Sequence, residues 1–131
     1  MKNDNNEGGI KILLVEDDPF LIDIYSTKLR QNGFSLETAN DGEEALKKIA
    51  EIKPAIVLLD IVLPRIDGWE IITKVKADPN LKDIKIIILS NLGQAQEVKK
   101  GLELGASGYL IKSHYAPNEI VEEIKKILYN K

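Results

Sequence analysis

Cysteine is absent from all 131 residues. Its absence excludes disulfides, thiolate zinc sites and cysteine nucleophiles, and makes the cytoplasm, where thiols stay reduced, the expected compartment. Neither sign of charge dominates: 18 basic and 21 acidic residues are mixed along the chain for a net −3. No broad electropositive face follows, and direct nucleic-acid binding is not expected. Long hydrophobic runs are missing too. The longest, Ala55 to Leu59, is far short of the roughly 20 residues of a membrane-spanning helix, so no membrane association is expected. The opening "MKNDNNEGG" is polar and lacks the apolar stretch of a signal peptide; residues 1–9 are expected to be a disordered tail. Proline and glycine are sparse and 44% of residues are hydrophobic, which suits one compact domain over 10–131.

What is present alternates regularly. "IKILLV" (10–15) is a β-branched-rich run, and the following helix is framed by Asp18 as N-cap, Pro19 at the first position and Gly33 as the stop. "FSLETA" (34–39) alternates like a strand, and "NDGEEALKKIAEI" (40–52) has acids in its first turn and apolar residues at helical spacing. "AIVLLD" (55–60) reads as a buried strand; a loop with Pro64 and Asp67-Gly68 leads to a helix marked by Trp69, Ile72 and Val75, which "DPN" breaks at 78–80. "IKIIILS" (84–90), a helix over 93–105, "SGYLIK" (107–112) and a helix over 116–130 complete five strands and five helices. Strict βαβ alternation implies parallel strands with right-handed crossovers and helices on both faces, a doubly wound α/β fold. Strands one, three and four are apolar enough for burial on both faces, whereas the more polar "FSLETA" suits an edge.

In such sheets ligands bind at the carboxyl ends of the strands, where strand order reverses. Those ends carry Glu16, Asp17 and Asp18 after the first strand, Asp60 after the third, Ser90 after the fourth and Lys112 after the fifth. Carboxylates crowded together repel unless something positive sits among them. Oxygen ligands without His or Cys favour Mg2+, which commonly takes one or two carboxylates together with phosphate oxygens. Asp60 is then a candidate nucleophile toward phosphorus, with Ser90 and Lys112 stabilising charge on the phosphoryl oxygens.

The runs "ILLVEDDP" (12–19), "LLDIVLPRIDGWE" (58–70), "IIILSN" (86–91) and "GYLIK" (108–112), in that order, resemble the receiver domain of two-component response regulators, over essentially the whole chain from Ile10. The resemblance implies a five-stranded parallel sheet of order 2-1-3-4-5 with five helices, a flavodoxin-like, CheY-like single domain. It implies that Asp60 is phosphorylated by the phosphohistidine of a sensor histidine kinase or histidine phosphotransfer protein, in a Mg2+-dependent reaction. Asp17 would be the main metal ligand, with Glu16 acting through water, Asp60 itself, and the backbone carbonyl of Val62. Ser90 and Tyr109 would form the switch and Lys112 would pair with the phosphoryl group. The output would be a changed face of the fourth helix, fifth strand and fifth helix that docks a target protein, with a phosphorylation-dependent homodimer as a further expectation. Such a domain is no enzyme in the ordinary sense: it promotes only its own phosphorylation and dephosphorylation.

Some residues have simpler readings. Asp18 matches no family ligand and is assigned to capping the first helix. His114 is the only histidine and is read as a loop residue, Trp69 as an anchor of the third helix or a neighbour of the pocket, and the final helix's lysines as a solvated face. The chain departs from the family pattern at Ser113, where proline usually follows the lysine across a cis peptide; a cis bond without proline costs about 2.5–4 kcal/mol. It departs also at Asn91, where many members have a small residue, and which is expected to narrow access to the site. Apolar Val62 and Leu92 cannot orient a water, so slow loss of the phosphoryl group is expected. Two alternatives remain: a receiver excised from a larger, for instance DNA-binding, regulator, and a Mg2+-dependent aspartyl-phosphate phosphatase. The latter would want a second acid two residues after the first, where Val62 stands. A flavin carrier of the same fold would need a Ser/Thr/Gly-rich loop in place of "EDDP".

Overall fold

The computed structural model describes residues 9–129. The expected tail therefore lies outside the described residues, apart from Gly9. The elements run β1 (Lys11–Val15), α1 (Pro19–Gln31), β2 (Ser35–Ala39), α2 (Gly42–Ile52), β3 (Ile56–Leu59), α3 (Gly68–Ala77), β4 (Lys85–Ser90), α4 (Ala95–Glu103), β5 (Gly108–Ile111), a 3-10 turn (Lys112–His114) and α5 (Pro117–Tyr129). All pairings are parallel, and the sheet order is β2-β1-β3-β4-β5, as expected.

Side-chain alternation along each strand divides the interior in two. Leu13, Val15, Val57, Leu59, Ile86 and Ile88 face the side covered by α2 and α3, where Ile49, Ile71, Ile72 and Val75 meet them. Ile12, Leu14, Ile56, Leu58, Ile87 and Leu89 face α1 and α5, against Leu29, Ile120 and Ile124. Strands β1 and β3 are almost entirely enclosed, while β2 is buried only at Ala39, which is the pattern of a core strand pair and an edge.

Local chemistry sets the boundaries. Asp18 caps α1 by accepting the Phe20 N–H, and Pro19 follows at the first helical position. Asp41 and Asp67 accept from the third residue of α2 and α3 respectively. Their side chains satisfy N–H groups that a helix start leaves without partners. Because Asp41 is the cap, α2 begins two residues later than expected. Gly33 and Gly105 do follow helix ends with φ of +88° and +115°, although Asn32 and Leu104 are the capping residues.

Two boundaries are corrected at the sheet's carboxyl edge. Asp60 lies one residue beyond β3, although its N–H still bonds the Val15 carbonyl at 3.0 Å. Lys112 is not the last residue of β5 but opens the 3-10 turn, in which the Tyr115 N–H reaches the Lys112 carbonyl. The peptide after Lys112 is trans, as are all peptide bonds among the described residues.

Candidate functional site

Strand order reverses between β1 and β3, because the chain leaves β1 for β2 on one side and returns to β3 on the other. The crevice above that point is a cleft of about 400 Å³, lined among others by Glu16, Asp17, Asp60, Ser90 and Lys112. The structure thus brings together five residues drawn from the carboxyl ends of four strands and the turns that follow them.

Asp60 is 6% exposed and gripped from two sides. Its Oδ1 accepts the N–H groups of Ile61 at 2.7 Å and Val62 at 3.4 Å, and its Oδ2 accepts from the Lys112 ammonium at 2.8 Å. The same ammonium donates to Glu16 Oε1 at 2.7 Å. The other Glu16 oxygen accepts the Asp18 N–H at 3.1 Å. Sequence reasoning assigned Lys112 to a phosphoryl group; here it bridges two buried carboxylates. Burial lifts Glu16 above the ordinary carboxylate range, and its bond to Lys112 lowers it without cancelling that effect. Burial also draws Lys112 down, but hydrogen bonds to Asp60 and Glu16, with their charges, outweigh it and hold the ammonium above the ordinary lysine value.

Oxygens of Glu16, Asp17 and Asp60 lie within 4.8 Å of one another, with Asp17 exposed toward the cleft. An all-oxygen set with one exposed carboxylate and two buried ones fits a hard divalent cation that keeps part of its water. Both Glu16 oxygens already have partners, which leaves Asp17 as the acid readiest to ligate directly.

Ser90, the last residue of β4, is 1% exposed. Its Oγ accepts the Leu92 N–H at 3.2 Å, so its own O–H remains free to be donated. The Tyr109 hydroxyl donates to the Leu92 carbonyl, and burial followed by the charges of Glu97 and Asp60 raises its pKa. Both expected switch residues therefore converge on one peptide-bearing residue of the β4-α4 loop. The Tyr109 ring lies against Gly101 of α4, where a Cβ would come within 3.0 Å of it.

Other expectations are resolved by position. Asp18 caps α1 and also lines the cleft. Trp69 does not line it; its ring packs on the core and carries Lys100 of α4 at 4.5 Å from the ring centroid. His114 is exposed in the 3-10 turn. Of the α5 lysines, Lys126 pairs with Glu123 on the surface, while Lys125 reaches back to Asn32. Sequence reasoning missed the part of Gly68: a Cβ there would lie 2.7 Å from both the Asp60 carbonyl oxygen and the Ile61 Cα. The signal was the Asp67-Gly68 pair, read only as a turn.

A parallel sheet of order 2-1-3-4-5 covered on both faces, with an aspartate, an acid cluster, a hydroxyl and an ammonium gathered at its reversal point, defines a class: a CheY-like doubly wound α/β domain. The family model for the response regulator receiver domain matches residues 12–125, and the chain belongs to that family. It is 35% identical to the alkaline phosphatase synthesis transcriptional regulatory protein PhoP of Bacillus subtilis, covering 90% of this chain and 48% of PhoP. It is 30% identical to the DNA-binding dual master transcriptional regulator RpaA of Synechocystis, again over 90% of this chain and 48% of RpaA. The chain thus spans about half the length of these curated relatives. Among solved structures, the chemotaxis response regulator CheY4 of Vibrio cholerae superposes with a TM-score of 0.84 at 26% identity, covering 90% of this chain and 98% of CheY4. A CheY-like receiver domain protein of Methanospirillum hungatei gives 0.81 at 30%, covering 91% and 93%.

Proposed function

We propose that this receiver domain is a phosphorylation switch in which the Asp60 carboxylate takes a phosphoryl group from the phosphohistidine of a sensor kinase or histidine phosphotransfer protein. The observation that carries it is the placement of Asp60, nearly buried, beside the Lys112 ammonium at 2.8 Å and within one acid cluster with Glu16 and Asp17. An Asp60 oxygen forms a bond to phosphorus as the P–N bond breaks; the electron pair stays on the leaving imidazole nitrogen, and the product is an acyl phosphate. Asp17 and Asp60, Glu16 through water, and the Val62 carbonyl would hold Mg2+, which when bound neutralises charge on the phosphoryl oxygens. Lys112 and the Ser90 O–H would meet the remaining oxygens.

The new charge draws Ser90 and Lys112 toward the phosphoryl group, which disturbs the Leu92 backbone that both Ser90 and Tyr109 hold. Tyr109 transmits this to α4 through Gly101, so the α4-β5-α5 face is the output surface for a target protein or for a second copy of the domain. The names of the relatives PhoP and RpaA support a second reading of the output, in which the receiver controls a DNA-binding partner domain of a larger regulator. The expected setting for either is the cytoplasm; among the described residues no helix is long and apolar enough to cross a membrane.

Incubation with acetyl phosphate and Mg2+, followed by intact mass measurement, tests the assignment. Wild type is expected to gain one phosphoryl group and Asp60→Ala none. An equal gain in both, or none in wild type, would overturn it. Sustained turnover of a phosphate ester would favour the aspartyl-phosphate phosphatase instead.

A further inference from the structure

The β4-β5 ladder ends at the pair Ser90 and Ile111. The next residues in register are Asn91 and Lys112, and there the backbone ladder stops while a side chain continues it. Asn91 Oδ1 accepts the Ser113 N–H at 3.0 Å. That N–H belongs to the peptide immediately after Lys112, and Asn91 itself lines the cleft. We propose that Asn91 is a positioning residue for Lys112: by holding the Ser113 N–H it fixes the peptide that follows Lys112 and so keeps the ammonium at Asp60. The proposal rests on the phosphoacceptor reading above and extends it to a residue that touches neither Asp60 nor the acid cluster.

Lys112 lies beyond β5, so the sheet does not restrain it, and the trans peptide after it leads into a single 3-10 turn closed by a long 3.4 Å contact from the Tyr115 N–H. A flexible four-carbon side chain must nevertheless deliver its ammonium to Glu16 and Asp60 at 2.7 and 2.8 Å. Anchoring the backbone at its root reduces the number of conformations the side chain must forgo to reach them. A proline at 113 would have no N–H to offer, so Asn91 and Ser113 work as a pair. The expectation from sequence is that Asn91 narrows the site; in the proposed role it supports the site as well.

The test compares wild type, Asn91→Ala and Asn91→Leu, each with and without Lys112→Ala, by the rate at which acetyl phosphate and Mg2+ phosphorylate Asp60. Leu keeps bulk in the cleft without an acceptor, whereas Ala opens the cleft. Both are expected to slow phosphorylation roughly threefold to tenfold, the scale of one modest hydrogen bond, with Mg2+ affinity unchanged. In the Lys112→Ala background neither should slow it further. Independently, the 15N ammonium resonance of Lys112 in the metal-free protein should broaden in both Asn91 variants. Undiminished or faster phosphorylation in Asn91→Ala, a loss that persists without Lys112, or an unchanged ammonium resonance overturns the proposal. Failure of wild type to gain a phosphoryl group overturns the receiver reading instead, and the ammonium resonance then still decides this one.

Discussion

Asp60 is held by two of its own loop amides and by Lys112, so in the proposed reading its carboxylate meets a phosphoryl donor from a fixed position. In the same reading a second reaction, hydrolysis of the acyl phosphate to Asp60 and inorganic phosphate, is served less well. Val62 is 62% exposed at the cleft, and Leu92 lines it; neither side chain can accept or donate a proton or orient a water. Replacing them together, Val62→Asn with Leu92→Glu, should speed decay of phosphorylated protein on the order of tenfold, since a positioned polar group commonly contributes at least that much. Decay followed by intact mass after removal of donor checks this, and an unchanged half-life would rule out these two residues as the cause of slow loss.

Among the elements, α3 packs its first residue directly on the Asp60 backbone. Its first residue, Gly68, donates its N–H to the Ile61 carbonyl at 2.8 Å and packs on the Asp60 and Ile61 backbone, where no side chain fits. Gly68→Ala is expected to cost about 1–3 kcal/mol, the usual range for overpacking, and to slow Asp60 phosphorylation as well because the added carbon presses on that peptide. Gly9→Ala, which would meet nothing within 4 Å, is the matched control. Urea unfolding and the acetyl phosphate assay give the two readouts, and wild-type behaviour in both would show that the contact relaxes freely. Helix α4 stands at the other extreme. Gly101 is its one buried residue, set against Ile88 and the Tyr109 ring, and Lys100 adds a contact with Trp69. In the proposed switch, a helix with one buried residue is the element expected to move with Tyr109.

For the whole molecule, the acid cluster links cation binding to stability. Two carboxylates share one ammonium while Asp17 remains exposed, and the unfolded chain does not hold these oxygens together. Mg2+ at ten times its Kd should therefore stabilise the protein by about 1.4 kcal/mol, on the order of 5 °C in Tm for a domain of this size. Asp17→Asn should abolish the shift. Thermal unfolding by circular dichroism with and without Mg2+ measures it, and an equal shift in both proteins would place the cation elsewhere.

Much of this was legible in the sequence because it depends on local pattern. Apolar runs bounded by Asp18-Pro19, the Asp67-Gly68 turn and the glycines mark strand and helix, and their strict alternation allows little besides a parallel sheet covered on both faces. Once the strands are parallel, the residues that follow each one must gather at a single edge. What local pattern cannot carry is contact between segments distant along the chain. The Lys112 bridge to Glu16, the fit of Gly68 on Asp60, the seat of Trp69 under Lys100 and the Asn91 hold on Ser113 each join separate loops or helices. Only packing of the finished sheet brings those groups within the few ångströms over which hydrogen bonds and steric contacts act.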